Sequence, residues 1–379
     1  MRQQRNIIGL KNIGMKYNIG FIGLGKLGEP VSEVMKQKHN VTTFDIKHVK
    51  DGSIGGWSWC VLNQDIIFIA VPTPHEEQYD GRYISSHLEP KDFDYSIVED
   101  TLKKIDRIST ENQIIVLIST VLPGTIKNKL SKLITKGTLL YNPYLIAMGT
   151  VKEDFINPEM ILIGGNNTAA IIALRKFYET LCNCDRYILG TWEEIESIKI
   201  FYNTFITFKI VFCNMIQDVA MKLGNIDVDV VTEALAESTQ RIISKKYMKA
   251  GMGDGGGCHP RDNIALKWLA KDLDLGYDLF GSLMHAREQQ AKNMADHLTK
   301  LSKEHNLPIV IIGKSFKPEV DLEEGSSSIL VSQYCTCTFD DFSKPAIFLL
   351  AHSNKEYTFP KKSVIIDPWR KHGNSIQNR

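Results

Sequence analysis

The sequence predicts an α/β protein in which two doubly wound domains are joined by a long helical region. Short apolar runs alternate with stretches of helical spacing up to about residue 190, a pattern typical of a parallel sheet covered by helices. From Thr191 to about Leu223 there is no internal Gly or Pro, and the apolar spacing predicts one long helix. The apolar run Pro308–Gly313 then opens a second, shorter α/β unit. Both sheet-forming parts are therefore expected to be Rossmann-like.

We expect three regions: an N-terminal domain over residues 15–190, a central helical region over 191–300 and a C-terminal domain over 301–379. The central region adds a second helical block, from Asn263 to about Lys303, with a break near Leu275–Gly281. The predicted strands are Tyr17–Ile22, Val41–Asp45, Ile66–Val71, Ile114–Ile118, Thr138–Tyr141, Met160–Ile163, Ala346–Leu350 and Ser363–Asp367. The other predicted helices are Glu29–Lys38, Tyr95–Ile108 and Thr125–Ile134.

Composition excludes several classes of function. The chain has 379 residues, 43% of them hydrophobic, and a net charge of +1, so neither nucleic acid nor an anionic membrane is an expected partner. The purely apolar runs are too short to span a bilayer, and the N-terminus has no signal-peptide apolar core. Seven scattered cysteines without such a signal favour reduced thiols in the cytosol. Neither C-x-C pair has the spacing of a metal site.

A glycine-rich turn follows the first predicted strand and carries the pattern Gly23-Leu-Gly25-Lys-Leu-Gly28. Glycines at these positions allow a tight turn, a close approach of the backbone to a pyrophosphate and close helix–strand packing. Asp45 lies 20 residues beyond Gly25, where a carboxylate accepts hydrogen bonds from the adenosine ribose and disfavours a 2′-phosphate. The pattern therefore predicts NAD rather than NADP. The expected cofactor contacts are Gly23, Gly25, Lys26, Leu27, Gly28, Asp45, Lys47, Pro72, Thr73, Ser119 and Thr120.

The segment Gly251–Asp262, GMGDGGGCHPRD, places Cys258 in a run of glycines and beside cationic residues. Glycines let a sulfur reach a substrate carbon, and nearby cations lower a thiol pKa, so the segment predicts a nucleophilic cysteine. On the long helix Lys199 and Asn203 are four residues apart and share one face. Both could reach one substrate oxygen, where the lysine would stabilise negative charge. A solvated lysine on an exposed helix face is the alternative interpretation of that pair.

Together these pieces resemble the nucleotide-sugar dehydrogenases, the UDP-glucose and GDP-mannose dehydrogenase family. The resemblance runs from about Lys16 to Arg370, and its motifs occur in the family's order. The opening Asn142-Pro favours the UDP-glucose 6-dehydrogenase branch. The motifs are GFIGLGKLG, AVPTP at 70–74, STVLPGT at 119–125, NPYLIAMG at 142–149, DFINPEMILIGG at 154–165, ESIKIFYNTF at 196–205, GMGDGGGCHPRD and IIGKSFKPEVD at 311–321.

The resemblance implies that a nucleotide-sugar C6 alcohol is oxidised twice by NAD, through a thiohemiacetal and a thioester on Cys258. Lys199 would stabilise the oxyanions, Asn203 and Asp262 would position the lysine and a water, and Thr120 would hold that water. Arg241 would reach across the interface of a homodimer or larger homo-oligomer. The substrate contacts that the resemblance implies are Asn142, Tyr144, Leu145, Ile146, Lys199, Asn203, Arg241, Tyr247, Lys249, Gly255, Lys317 and Arg370.

Several positions depart from the family pattern. Tyr144 stands where the UDP-glucose branch has a glutamate linked to thioester hydrolysis, and a tyrosine is a poor base at neutral pH. The other departures are Met148, Met215, Asp254 and Glu324. Two further functions are therefore kept open. One is a two-electron dehydrogenase of the hydroxyacid type, which needs no cysteine. The other is a nucleotide-sugar-binding protein that has lost turnover.

Overall fold

The computed structural model describes residues 16–47, 56–74, 87–89, 91–147, 149–244, 251–253, 258–315, 323–352 and 356–371. The side chains of Ile210, Asn214, Cys258, Arg261, Asp262 and Ala265 lie outside this description. The chain divides into two compact units, Met1–Lys209 and Ile210–Arg379. The three-region division of the sequence stays a prediction.

A seven-stranded sheet forms the centre of the first unit. Its strands are β1 Asn18–Ile22, β2 Asn40–Phe44, β3 Ile66–Ile69, β4 Ile114–Leu117, β5 Thr138–Tyr141, β6 Ile161–Gly164 and β7 Tyr187–Gly190. They lie in the order β2-β1-β3-β4-β5-β6-β7. The first five strands are parallel, but β5 and β6 pair antiparallel at Tyr141 and Gly164. The doubly wound sheet is therefore confirmed with one reversal, and β1 and β3 flank its topological switch point.

Helices cover both faces of this sheet. They are α1 Gly28–Lys36, α2 Ser96–Ile108, α3 Thr125–Asn128, α4 Val151–Ile156, α5 Thr168–Tyr178 and the long α6 Trp192–Leu223, which begins in this unit. The helical stretch predicted over Thr125–Ile134 is divided in two, because α3 ends at Asn128 and a separate 3-10 helix spans Leu130–Leu133. Every residue of β3 and β4 is buried, which explains their unbroken apolar runs.

The second unit pairs helices with a smaller parallel sheet. Its helices are α7 Val228–Ala236, α8 Cys258–Asp272, α9 Leu279–His305 and α10 Ser327–Ser332. Its strands are β8 Ile309–Ile312, β9 Cys337–Phe339, β10 Ile347–Leu350 and β11 Val364–Ile366, in the order β11-β10-β8-β9. The predicted break in the second helical block is confirmed between α8 and α9. Met215 is buried against Ala270 and Phe280 in a small apolar cluster of this unit.

Among the helices that the structure describes, α6 is long and apolar enough to cross a membrane by length and composition. A core helix of a soluble protein passes the same test. The sequence prediction, based on purely apolar runs, did not identify this stretch. Several aromatic side chains of α6 are exposed in the structure, among them Phe201 and Phe205.

Candidate functional site

The glycine turn lies at the carboxyl end of β1, beside the switch point. Gly23 has φ +97°, and a Cβ there would lie 2.6 Å from the Ala70 carbonyl oxygen just beyond β3. A Cβ at Gly28 would overlap the Gly23 carbonyl oxygen. Both positions therefore require glycine, one for conformation and close approach and the other so that α1 packs against the turn.

Gly25 differs from its two neighbours in the turn. A Cβ at Gly25 would meet nothing within 4 Å, so the space over this residue is open. The N–H groups of Lys26 and Leu27, just before α1, have no acceptor within the described part of the chain. Open space beside unpaired amides at a helix N-terminus fits a phosphate group. The turn can therefore hold the pyrophosphate of a dinucleotide.

Asp45 follows β2 and joins the edge strand to the glycine turn. Its carboxylate accepts the Leu24 N–H at 2.7 Å and the Lys47 N–H at 2.8 Å. It remains partly exposed, so its oxygens keep capacity to accept bonds from ribose hydroxyls. The side chains of Lys26 and Lys47 are exposed.

The turns after β3 and β4 are tied to each other. The Thr73 hydroxyl donates to the Thr120 carbonyl oxygen at 2.8 Å, and the Ser119 hydroxyl donates to the Val71 carbonyl oxygen. Pro72 lies between these contacts. The structure therefore brings together four of the predicted cofactor residues at the carboxyl edge of the sheet, where ligands of such sheets bind.

Lys199 lies on α6 in a partly buried position. Its ammonium donates to the Tyr144 carbonyl oxygen at 2.8 Å, and burial lowers the pKa of the lysine. Asn203, one turn later on the same face, has an exposed side chain. Leu145 and Ile146 are half-buried and pack against the two apolar clusters of the sheet domain. The structure thus fixes the lysine beside the predicted substrate segment.

Tyr144 points its hydroxyl into a buried polar chain. This hydroxyl lies 3.1 Å from the Tyr178 hydroxyl, which in turn donates to the side-chain oxygen of Asn142. The Asn142 amide donates to the Leu162 carbonyl oxygen at 2.6 Å. Burial raises the pKa of Tyr144 well above its usual value. The phenol therefore ionises even less readily at neutral pH than a free tyrosine and cannot serve there as a general base. The substrate contacts of Asn142 and Tyr144 stay predictions.

Glu196, which sequence reasoning gave no role, is fully buried on α6 one turn before Lys199. Its two carboxylate oxygens accept the Gly124 N–H at 2.6 Å and the Ile126 N–H at 2.8 Å. Burial raises the pKa of this carboxyl, and the two amide bonds oppose that rise. The glutamate thus fastens the loop that continues from Thr120 to the helix that carries Lys199.

The cysteine motif leads into α8 in the second unit. Cys258 is the first residue of α8 and Asp262 stands four residues later; only their backbone is described. The Trp369 ring packs directly over Gly251, and a cavity of about 380 Å³ beside them is also lined by Arg287 and Ser327.

Arg370, a predicted substrate contact, shares the turn of Trp369. Its guanidinium donates to the Pro368 carbonyl oxygen at 2.6 Å, and its backbone has φ +57°. Arg241 is exposed. Tyr247, Lys249, Gly255 and Lys317 lie outside the described residues, as do Met148 and Asp254. Among the side chains described, no cluster of His, Cys, Asp or Glu could hold a metal ion.

Two buried residues, Glu196 and Tyr178, thus belong to the site although the sequence did not mark them. Glu196 lies in the ESIKIFYNTF motif, so an acid at helical spacing from Lys199 was an available signal. Tyr178 had none, because a tyrosine at the end of an amphipathic helix is typical of a core position.

Comparison with known proteins identifies two matching domains. Residues 58–182 match the UDP-glucose/GDP-mannose dehydrogenase family, NAD binding domain, and residues 193–288 match the central domain of the same family. The cofactor is NAD. The glycine turn at 23–28 precedes the first match, and its open Gly25 fits that cofactor independently.

Individual relatives give a consistent picture. UDP-glucose 6-dehydrogenase of Rickettsia conorii is 29% identical over 71% of this chain, and the match spans 60% of that enzyme's length. GDP-mannose 6-dehydrogenase of Pseudomonas aeruginosa is 27% identical over 83% of this chain and 70% of its own. The crystal structure of a ternary complex of GDP-mannose dehydrogenase from P. aeruginosa superposes with a TM-score of 0.78, at 22% identity, over 96% of this chain and 99% of its own.

Proposed function

Because the chain belongs to the UDP-glucose/GDP-mannose dehydrogenase family, we propose that it oxidises the C6 alcohol of a nucleotide sugar to the carboxylate. The observation that carries the proposal is the placement of Lys199 against the Tyr144 carbonyl, within a sheet domain built for NAD. The proposed substrate is of the UDP-glucose type, as the Asn142-Pro opening favours. NAD supplies the hydride acceptor for both oxidation steps.

Lys199 acts on the substrate oxygen in this proposal. A buried ammonium stabilises the negative charge that develops on an alkoxide or a tetrahedral oxyanion more strongly than a solvated one. Its carbonyl partner holds the ammonium in place before the substrate binds. Asn203, one turn along the same face, donates to the same oxygen or holds a water.

Cys258 forms the covalent intermediate. Removal of a hydride and a proton from the C6 alcohol first gives the aldehyde. The Cys258 thiolate then adds to the aldehyde carbon, forming a C–S bond and a thiohemiacetal alkoxide. Loss of hydride from that carbon gives the thioester. Attack by water breaks the C–S bond and releases the carboxylate and the thiol. Cys258 begins α8, and the first turn of a helix favours negative charge.

Hydrolysis of the thioester requires a base other than Tyr144. The hydroxyl of that tyrosine is bonded to Tyr178 and its pKa is raised. Asp262, Asp254 and His259 are the candidates near the cysteine in sequence. We therefore propose that hydrolysis is the slow step and that the acyl-enzyme accumulates.

We also propose that the chain works as a homo-oligomer. Phe201, Phe205 and Phe208 are 65%, 55% and 46% exposed on α6, and their spacing of four and three residues forms one stripe. A second copy of the chain explains this stripe better than lipid, because Glu196 and Lys199 on the same helix bond to loops of the folded sheet domain. Arg241 is expected to reach across that interface. Cytosolic location remains the expectation from the cysteines.

The stoichiometry of NADH formation tests the reaction. The protein is incubated with NAD and a panel of UDP- and GDP-sugars, and NADH is counted per sugar consumed. Two NADH per sugar supports the proposal. One would support the two-electron hydroxyacid-type function, and none with every sugar would support the binding-protein function.

Two cysteine variants test the covalent step. Cys258→Ser should abolish carboxylate formation while nucleotide-sugar binding survives, because the serine hydroxyl is a far weaker nucleophile than a thiolate. Cys213→Ser, at an exposed cysteine of α6, is the matched control and should keep full activity. Equal loss in both variants would contradict the assignment. Mass spectrometry of the wild type should show an acyl adduct on Cys258 after an initial burst of NADH.

The pH profile tests Lys199. Since burial lowers its pKa, the ammonium loses its charge at a lower pH than a free lysine does, and kcat should fall as pH rises through that lowered pKa. Lys199→Ala should reduce kcat by about a hundredfold or more with a smaller change in KM. A pure KM effect would reassign the lysine to substrate binding.

A further inference from the structure

The loop between Thr120 and α3 is held by a carboxylate of the neighbouring helix. Gly124, with φ +86°, and Ile126 donate their N–H groups to the two oxygens of Glu196. The glutamate is fully buried, so water does not compete for these bonds. Breaking them leaves one buried donor, at Ile126, and one partly buried donor, at Gly124, without acceptors, which is costly.

The loop and the helix that Glu196 connects each carry a residue of the proposed site. On the loop side, Thr120 lies four residues before Gly124, and its carbonyl oxygen is fixed by the Thr73 hydroxyl. On the helix side, Lys199 lies one turn after Glu196, and its ammonium is fixed by the Tyr144 carbonyl. Because a single helical turn joins Glu196 to Lys199, the buried carboxylate sets the position of the loop relative to the lysine.

We infer that Glu196 is a positioning residue, which holds the Thr120 turn in register with Lys199 for hydride transfer. This inference rests on the proposed function. Glu196 touches neither cofactor nor substrate in this role; it acts through the two amides. A misplacement of about 1 Å at a reacting centre is enough to slow chemistry by about a hundredfold.

The structure provides a matched control, which joins the same helix α6 to α3 directly after this loop. Glu193 pairs with Lys127 at 2.7 Å, but both side chains are substantially exposed. A surface ion pair of this kind contributes little to stability or position. Glu193→Gln therefore changes an acid beside the same loop without removing a buried acceptor.

Glu196→Gln tests the inference. The glutamine keeps one acceptor oxygen and turns an NH₂ group toward the other amide, so one bond is lost. We expect kcat to fall by about tenfold to a hundredfold, with KM changed less than threefold, and Glu193→Gln to stay near wild type. A double variant with Thr120→Ala should lose less than the product of the two single losses, because both changes disturb one unit. Independent, multiplicative losses would point to a general structural role and overturn the inference.

Amide hydrogen exchange tests the contact made by Glu196 independently of the proposed reaction. Of the Gly124 and Ile126 amides, the one that faces the new NH₂ group should exchange at least about tenfold faster in Glu196→Gln than in Glu193→Gln, whether or not a substrate is turned over. If the wild type oxidises no nucleotide sugar, the proposed function fails while the exchange result still reports on the contact. If the wild type is active and Glu196→Gln retains its kcat, the positioning role is wrong.

Discussion

The first strand of each sheet ends in the same glycine turn, but the chain continues differently after the two turns. Gly23 follows β1 with φ +97°, and Gly313 follows β8 with φ +93°. In each unit an aspartate after the neighbouring edge strand accepts an N–H of the turn. Asp45 accepts from Leu24 at 2.7 Å, and Asp340 accepts from Gly313 at 2.9 Å.

The two turns differ in the residues that come after the first glycine. In the first unit Gly25 is open, and α1 begins at Gly28. In the second, Lys314 lies with its ammonium 5.2 Å from the centre of the Phe339 ring, and the Ser315 hydroxyl lies 3.3 Å from His352 Nε2. The first turn presents backbone amides, and the second presents side chains. The glycine–aspartate pair is thus a way to turn a chain at a sheet edge, and the residues after it determine whether backbone amides or side chains face the turn.

The largest effect is expected at the two later glycines of the first turn. Gly25→Ala has room for its methyl group, so the thermal midpoint should stay near wild type. The same methyl group occupies the space proposed for the pyrophosphate, so the Kd for NAD should rise about a hundredfold. Gly28→Ala overlaps the Gly23 carbonyl and should lower the thermal midpoint as well. Calorimetry with and without NAD measures both quantities.

Either glycine variant can contradict the proposed role of its position in the turn. If Gly25→Ala binds NAD as tightly as wild type, the open space over the turn is not the cofactor site. If Gly28→Ala leaves stability unchanged, the contact between α1 and the turn has been overestimated.

A smaller effect is expected at the two aspartates. Asp45→Asn keeps its shape but loses charge-assisted bonds to the turn and to the ribose, so the Kd for NAD should rise about tenfold. Its preference for NAD over NADP should also weaken, because the carboxylate no longer repels a 2′-phosphate. Asp340→Asn makes the same change in the second unit and should leave NAD binding unaltered. Equal effects of the two variants on NAD binding would remove the distinction between the turns.

Much of the fold could be predicted from local pattern. The strand β5 was predicted at its observed bounds and α6 within one residue, because apolar periodicity and the lack of Gly and Pro are strong over such stretches. The antiparallel pairing of β6 with β5 could not be predicted. A short buried apolar strand has the same residue pattern whether it pairs parallel or antiparallel. The split after Asn128 was also missed, because 3-10 and α-helical spacing differ little over four residues.

The site could be predicted only where its residues form a motif. Asp45 and the glycines carry spacing, and Lys199 and Asn203 carry helical register. Glu196 and Tyr178 act through contacts between residues 70 and 36 positions apart, which no local pattern encodes. Glu196 lies at helical spacing from Lys199, but its burial and its two amide bonds are what distinguish it from an acid on a solvated helix face.

In the second turn Gly313 offers a smaller test, of stability rather than of cofactor binding. Gly313→Ala must hold a left-handed backbone, which costs about 1–2 kcal/mol, and its methyl group would overlap the His352 ring. The thermal midpoint should fall by roughly 2–8 °C, while the Kd for NAD stays within about twofold of wild type. A loss of NAD affinity here would show that the second turn also serves the dinucleotide.

The smallest expected effect separates the two causes of that instability. His352→Ala removes the ring and its contact with Ser315, which should cost little, since a hydrogen bond contributes about 1 kcal/mol. In the double variant Gly313→Ala/His352→Ala the new methyl group has no ring to overlap, so the double variant should be more stable than the sum of the single changes predicts. The residual instability then measures the backbone strain alone. Strict additivity in chemical denaturation would mean that the ring moves aside freely, and that Gly313 is required for its left-handed conformation only.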